Sequence, residues 1–78
     1  MPTVLRMSPY RFFFYAGDRE EPPHVHVERE DFQAKFWLAP ARFQTNRGFK
    51  QWDLEKIESL VEKYQELLME RWEGFFNG

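Results

Sequence analysis

The two histidines of the chain, His24 and His26, alternate with valines in residues 24–28. Alternate residues of an extended strand point to the same face, so this pattern places both imidazoles side by side. Imidazoles act as general acids and bases near neutral pH, and they also bind metal ions and phosphates. His24 and His26 are therefore the candidate catalytic residues. The alternative is a structural role, in which both are half-exposed and stack on Trp37 and Phe13.

A metal site is not favoured, because too few ligands accompany the histidine pair. Zinc sites in proteins use three or four ligands, and the chain has no cysteine. Further ligands would have to come from Glu28 or from the acidic loop that contains Asp18, Glu20 and Glu21. We therefore predict no metal and no other cofactor.

Cleavage of RNA requires fewer protein groups than a metal site does. One imidazole beside a cation that holds the phosphate is sufficient, because the 2′-hydroxyl of RNA is the nucleophile. Either histidine with Lys35 or Arg11 would meet this requirement. Hydrolysis through a serine or cysteine nucleophile is not expected, since cysteine is absent and no hydroxyl residue lies in a nucleophile motif. If the protein is an enzyme, the sequence therefore predicts a metal-independent ribonuclease.

Four β-strands in two hairpins are predicted to position these residues. The runs with strand-like composition are residues 3–7, 10–15, 24–28 and 32–38. Turns are expected at Ser8-Pro9 and at Glu30-Asp31. The expected cross-strand pairs are Leu5 with Phe12, Thr3 with Phe14, Val25 with Phe36, Val27 with Ala34, His26 with Lys35 and His24 with Trp37. The valines then face the core and the histidines face outward.

A basic connection over residues 39–50 and one long helix over about 52–75 are predicted to complete the chain. Apolar residues recur at helical spacing through the last segment. A helix of this length measures about 35 Å at 1.5 Å per residue, which exceeds the width of a four-stranded sheet, so it either breaks or projects. The predicted class is α+β, with a four-stranded antiparallel sheet packed against this helix in a single domain of residues 1–78. The predicted core consists of Leu5, Phe12, Phe14, Val25, Val27, Phe36, Leu38, Leu54, Ile57, Val61, Tyr64 and Leu68.

The outer face of this sheet is predicted to bind a ligand, because cations and flat rings alternate on it. The predicted binding residues are Arg6, Arg11, Phe13, Tyr15, Lys35, Trp37, Arg42 and Arg47. Single-stranded RNA binds to such surfaces by stacking bases on aromatic rings while cations contact phosphates. The same rings would also suit a partner protein. The sequence leaves both alternatives open.

The aromatic content also favours a partner. Nine Phe, three Trp and three Tyr make up 19% of the 78 residues. About half of these rings belong to the predicted core. The rings that we expect a monomer to leave uncovered are Phe13, Tyr15, Trp37, Trp72, Phe75 and Phe76. We therefore predict binding to another protein or to a second copy of the chain.

Charge and hydropathy exclude several classes of protein. The net charge of −2 argues against indiscriminate DNA binding. Residues 1–49 hold seven Lys/Arg against six Asp/Glu, and residues 50–78 hold four against seven. The longest apolar run, residues 12–17, is far below the roughly 20 residues of a membrane span. With neither a signal peptide nor cysteine, the expected location is the cytoplasm.

Several segments resemble the bacterial family catalogued as domain of unknown function 4160. They include Tyr10-Arg-Phe-Phe-Phe-Tyr, Glu21-Pro-Pro-His-Val-His-Val and Ala34-Lys-Phe-Trp-Leu. The resemblance implies a small cytoplasmic protein encoded beside a second short protein, of domain of unknown function 2442, in a toxin–antitoxin-like pair. About half of the chain also resembles the messenger-RNA interferase toxins of the HicA type, although their first helix has no counterpart here.

The leading functional hypothesis is a component of such a pair. It would bind a partner protein, and RNA as a further ligand, through the outer sheet face. The first alternative is a His-dependent ribonuclease toxin. The second is a homodimeric interaction module without nucleic-acid contact.

Overall fold

The computed structural model describes residues 3–77. Five antiparallel strands form one sheet and are followed by two helices. The strands are β1 (Thr3–Met7), β2 (Tyr10–Phe13), β3 (His24–Arg29), β4 (Phe32–Leu38) and β5 (Ala41–Arg47), and the helices are α1 (Gln51–Lys63) and α2 (Gln65–Asn77). A short 3-10 helix, Ala16–Glu20, lies between β2 and β3. The α+β class is confirmed.

Most of the predicted basic connection is a fifth strand, so the prediction of a four-stranded sheet is wrong. β5 pairs with β4 from Leu38 opposite Ala41 to Gln33 opposite Arg47. It is an edge strand, and every residue after Ala41 is exposed. A strand that buries neither face needs no alternation of apolar and polar residues. The sequence pattern therefore had no signal for it.

The predicted register of the second hairpin is confirmed at all four pairs, including His26 with Lys35 and His24 with Trp37. In the first hairpin, Leu5 lies opposite Phe12 as predicted. A bulge between Thr3 and Leu5 shifts the next pair, so Thr3 lies opposite Phe13 instead of Phe14. β2 pairs with β3 and joins the two hairpins into one sheet.

The helical segment breaks at Tyr64, so the prediction of one continuous helix is wrong and the alternative of a break is confirmed. Tyr64 has φ −105° and ψ 20°, outside the helical range. The side-chain amide of Gln65 donates a hydrogen bond to the carbonyl of Leu38 at the end of β4. The break thus lies where the helices contact the sheet end. Within residues 3–77, neither helix is long and apolar enough to cross a bilayer.

The core lies between the valine-bearing face of the sheet and the two helices. Nine predicted core residues are fully buried: Phe12, Phe14, Val25, Val27, Phe36, Leu38, Ile57, Val61 and Leu68. The other three, Leu5, Leu54 and Tyr64, are only partly buried and pack at its margin. Ala34, which the predicted register places opposite Val27, is also buried in the core, and three further core residues were not predicted: Tyr10, Phe49 and Trp72.

The aromatic residues of α2 pack inside the monomer, contrary to the prediction that they lack a partner there. The ring centroids of Trp72 and Phe75 lie 5.2 and 5.8 Å from that of Phe14, and that of Phe76 lies 6.2 Å away. Trp72 is only 7% exposed. After the break at Tyr64, α2 packs against β1 and β4. These three rings therefore do not require a second chain.

Candidate functional site

The two histidines project from β3 onto the sheet face opposite the valines, which we call the outer face. His26 lies between Phe13 of β2 and Lys35 of β4. The imidazole centroids of His24 and His26 are 5.1 Å apart. The prediction that both imidazoles share a face is confirmed.

Asp18 of the 3-10 helix completes this arrangement, and we call Asp18, His24 and His26 the His–Asp cluster. Nε2 of His24 lies 3.2 Å from Oδ1 of Asp18, and Nε2 of His26 lies 3.0 Å from Oδ2. The backbone N–H of Tyr15 donates to Oδ2 at 2.8 Å and holds the carboxylate in place. Asp18 was only one of several acids that the sequence offered. Another of them, Glu21, pairs with Lys35 instead.

His24 is fully buried, so the expectation that both histidines are half-exposed is wrong for this residue. Its ring lies 5.7 Å from that of Trp37 and 5.2 Å from that of Trp72, measured between centroids. Trp72 belongs to α2, whose packing on the sheet no local pattern predicts. His26 remains partly accessible, with 16% of its side chain exposed. Of the two candidate catalytic residues, His26 is thus the one that a ligand can contact.

The tautomer of His24 follows from its hydrogen-bond partner. Nδ1 lies 2.9 Å from the carbonyl oxygen of Pro22. A carbonyl oxygen only accepts hydrogen bonds, so Nδ1 carries a proton. In the neutral ring, Nε2 therefore presents a lone pair toward Asp18. Nε2 is buried and has no aligned hydrogen-bond partner among residues 3–77.

The environment shifts the pKa values of the other two cluster residues. Burial lowers the pKa of His26; the carboxylate of Asp18 opposes this shift and nearby His24 adds to it. Burial by itself raises the pKa of Asp18, but the Tyr15 N–H and the two histidines outweigh it, and the net pKa lies below the ordinary value. At neutral pH the cluster therefore combines a carboxylate with a neutral imidazole at His26, which are the forms that bind cations.

Phe13 is fully buried on the outer face, contrary to the prediction that its ring lacks cover in a monomer. It stacks on the His26 ring at 5.5 Å with an interplanar angle of 24°. The guanidinium of Arg11 lies 4.4 Å from its centroid. Arg11 also forms an ion pair with Glu28. The side chains of this sheet face thus cover one another, which leaves Phe13 no free surface for a base.

A pocket of about 260 Å³ opens on the outer face beside the His–Asp cluster, and we call it the outer pocket. Its lining residues are Tyr15, His26, Gln33, Ala34, Lys35, Thr45, Asn46 and Arg47. Three predicted binding residues, Tyr15, Lys35 and Arg47, therefore meet at one concavity. Thr45 and Asn46 were missed because they belong to β5, the strand that the sequence did not reveal.

The remaining predicted binding residues lie outside this pocket. Trp37 and Arg42 pair with each other across β4 and β5. Arg6 pairs with Arg11 across β1 and β2. Among the described residues, the predicted binding surface is therefore divided into the outer pocket, the Trp37–Arg42 pair and the Arg6–Arg11 pair, instead of a continuous row of rings.

The fold and site define a small α+β protein whose five-stranded sheet carries a His–Asp cluster beside a cationic pocket. The sequence model of a family described as Domain of unknown function (DUF4160) matches residues 10–73. The chain belongs to this family, as its motifs predict. Comparisons with curated proteins and with solved structures give no significant match.

Proposed function

We propose that the protein is a cytoplasmic component of a toxin–antitoxin-like pair and that its outer pocket binds single-stranded RNA. The observation that carries this proposal is the convergence of Lys35, Arg47 and His26 beside the ring of Tyr15 in one pocket. Cations next to an aromatic ring suit a nucleotide, because a phosphate contacts the cations while a base contacts the ring.

The two cations of the pocket are available to a phosphate. Arg47 is exposed on the edge strand β5. Lys35 pairs with Glu21, whose side chain is 48% exposed. The Lys35 side chain is 16% exposed, but its partner Glu21 lies at the surface. Ion pairs with a solvent-exposed member contribute little stability, so a phosphate in the pocket can replace the Glu21 carboxylate. The ammonium of Lys35 also lies 5.1 Å from the Trp37 ring, which extends the cationic surface toward Arg42.

Base contacts would come from the half-buried Tyr15 and from polar side chains of β4 and β5. The Tyr15 ring is held edge-on against His26 at 4.5 Å. Gln33 and Thr45 supply hydrogen-bonding groups at the pocket wall. Asn46 does not, because its amide already exchanges two hydrogen bonds with the backbone of Phe49. Recognition by two polar side chains predicts weak sequence preference.

We expect Arg47→Ala and Lys35→Ala each to weaken binding of a labelled single-stranded RNA. The expected loss is about tenfold, because a hydrogen bond to a charged group contributes roughly 1.5 kcal/mol. Fluorescence anisotropy over a salt series measures it, and the logarithmic salt slope should fall by about 0.7 in each variant. Arg71→Ala, which removes an exposed arginine of α2, is the matched control.

Absence of RNA binding at low salt, or equal binding by wild type and Arg47→Ala, would contradict the proposal.

The same incubation tests the ribonuclease alternative. In that alternative the catalytic residue would be His26, the accessible one of the two imidazoles. Its ring is oriented by Asp18 and lines the outer pocket together with Lys35. RNA cleavage in EDTA that His26→Gln abolishes would support this alternative, and intact RNA would exclude it.

A partner protein is favoured by a second observation, the open edge of β5. No other strand within residues 3–77 pairs with that edge. The two large apolar residues that are most exposed, Phe43 at 41% and Trp52 at 60%, lie on β5 and at the start of α1. An unpaired edge flanked by apolar side chains is a common docking surface for an added strand.

We expect the protein encoded by the neighbouring gene to co-purify with this chain and to be lost from the Phe43→Ser, Trp52→Ala double variant. Arg71→Ala should retain it. Light scattering separates this outcome from the homodimer alternative, in which the chain elutes as a dimer without the second protein. A monomer that retains no partner would contradict both.

A further inference from the structure

We propose that Asp18, His24 and His26 together bind one divalent first-row transition-metal ion, with zinc the expected ion. The three residues contribute two imidazole nitrogens and a carboxylate oxygen, all within 4.8 Å of one another. Such a mixed nitrogen and oxygen donor set suits Zn²⁺, Fe²⁺ or Co²⁺, whereas Mg²⁺ and Ca²⁺ prefer oxygen ligands alone.

The buried Nε2 atom of His24 is the observation that points to a ligand. The side chain is fully buried, and the nitrogen has no hydrogen-bond partner among the described residues. Because Nδ1 donates to the Pro22 carbonyl, the neutral ring presents a lone pair toward a carboxylate oxygen 3.2 Å away. Two lone pairs that face each other repel, so a cation between them is favoured. A metal ion would bind both His24 Nε2 and the carboxylate oxygen of Asp18, and it would lie close enough to bind His26 as well.

The surrounding hydrogen bonds already hold two of the three donors as metal sites require. Ligating histidines donate their other ring N–H to a carbonyl or carboxylate, which fixes the tautomer and the orientation of the ring. The bond from His24 Nδ1 to Pro22 has this form. The carboxylate of Asp18 is likewise held by the Tyr15 N–H at 2.8 Å.

The donor atoms lie within 4.8 Å of one another, close enough to surround one ion after a local shift of their side chains. Each histidine Nε2 lies 3.0–3.2 Å from an oxygen of Asp18. Ligands of a tetrahedral zinc ion at about 2.0–2.1 Å are separated by roughly 3.3 Å. Without metal, Nε2 of His26 donates its proton to Asp18. Metal binding at Nε2 requires the other neutral tautomer, in which Nδ1 carries the ring proton, so the ion takes the place of the proton on Nε2.

Three protein ligands leave at least one coordination position for an exogenous ligand. Structural zinc sites use four protein ligands, whereas catalytic sites use three and a water or substrate. His26 belongs both to the cluster and to the lining of the outer pocket. The open position is therefore expected to be accessible from that pocket. The sequence-based expectation of no metal rested on a missing third ligand, which Asp18 supplies.

Titration of tag-free, EDTA-dialysed protein with zinc by isothermal calorimetry tests the site. These are the only two histidines and the chain has no cysteine, so no other imidazole or thiolate competes. We expect about one Zn²⁺ per chain. His26→Gln and Asp18→Asn should each weaken zinc binding at least tenfold, because a loss of about this size follows even from substitution of residues that only hydrogen-bond to a metal ligand. Glu20→Gln, on the same 3-10 helix, is the matched control and should bind as wild type does.

Circular dichroism of each variant in EDTA verifies that it is folded. Co²⁺ provides an independent measurement, because its visible absorption is strong in a four-coordinate protein site and weak for the hydrated ion, and the strong absorption should disappear in His26→Gln. Zinc that does not bind, or binds equally to wild type, Asp18→Asn and His26→Gln, would overturn the proposal and leave a simple Asp18–His24 ion pair. The assay contains no RNA, so its outcome is independent of RNA binding.

Discussion

Replacement of Trp72 by alanine is expected to lower the free energy of unfolding by about 3–5 kcal/mol. The indole is 7% exposed, and its centroid lies 5.2 Å from the rings of both Phe14 and His24. It also contacts Phe76 at 4.3 Å. Its removal leaves a cavity between α2 and the sheet that these rings cannot refill. Domains of this kind have total stabilities of roughly 5–15 kcal/mol, so the loss is a large fraction.

Urea denaturation of wild type, Trp72→Ala and Trp52→Ala measures this effect. Trp52 is the matched control, because the same residue type is 60% exposed at the start of α1. Its substitution should change stability by less than about 0.5 kcal/mol. Trp72→Ala should also expose the His24 imidazole, since the indole lies against that ring. Equal stability of the two variants would show that α2 does not pack on the sheet as described.

Replacement of Asp53 by alanine is expected to cost about 3 kcal/mol, because it breaks a buried polar cluster. Asp53 of α1 is 2% exposed and accepts a hydrogen bond of 2.9 Å from the Tyr10 hydroxyl. The guanidinium of Arg29 lies 3.6 Å from the same oxygen. Arg29 is 25% exposed at its side chain, which keeps the expected cost at the lower end of the range for buried pairs. The substitution leaves the Tyr10 hydroxyl and a partly buried charge without their acceptor.

A double-mutant cycle with Tyr10→Phe separates the two contacts of Asp53. The coupling free energy between Asp53→Ala and Tyr10→Phe should be about 1 kcal/mol, the size of one hydrogen bond. Asp53→Asn retains an acceptor for the hydroxyl but removes the charge near Arg29, so it isolates the ionic part. A coupling of zero would show that the hydroxyl and the carboxylate do not interact.

The pH dependence of stability provides a second measurement of this cluster. Burial of the phenol raises the pKa of Tyr10 above 10.0, and the hydrogen bond to Asp53 and the negative charge of Asp53 add to this shift. The folded state therefore holds the phenolic proton at a pH where the unfolded state has lost it. This contribution to stability is complete below pH 10 and is lost as the pH rises through the higher pKa of the folded state. Tyr10→Phe should remove that alkaline component.

The sequence predicted the hairpin cores well, because alternation in two strands constrains one register. Val25 and Val27 must face the core, and Phe36 and Ala34 alternate in the same phase, so a shift by one residue would place the histidines on the helix-facing side of the sheet instead. All four predicted pairs of β3 and β4 are present. The shared face of His24 and His26 follows from the same constraint.

β5 and the β1 bulge were not predictable, because neither follows from a hydrophobic pattern. β5 is paired through its backbone and exposes nearly all of its side chains. Backbone hydrogen bonds depend little on residue type, so such a strand has a weak local signature. The outer pocket needs this strand for one wall, and its full lining could not be derived without it.

The amino-acid sequence by itself determined the α+β class, the β3–β4 register, most of the core and the common face of the two imidazoles. These features depend on periodicity, which local residue order encodes. Only the tertiary structure decided which acid joins the histidines and what covers them. Asp18 reaches His26 across eight positions through a loop, and Trp72 reaches His24 from the other end of the chain. Contacts of this kind depend on how complete elements pack, and no local pattern specifies them.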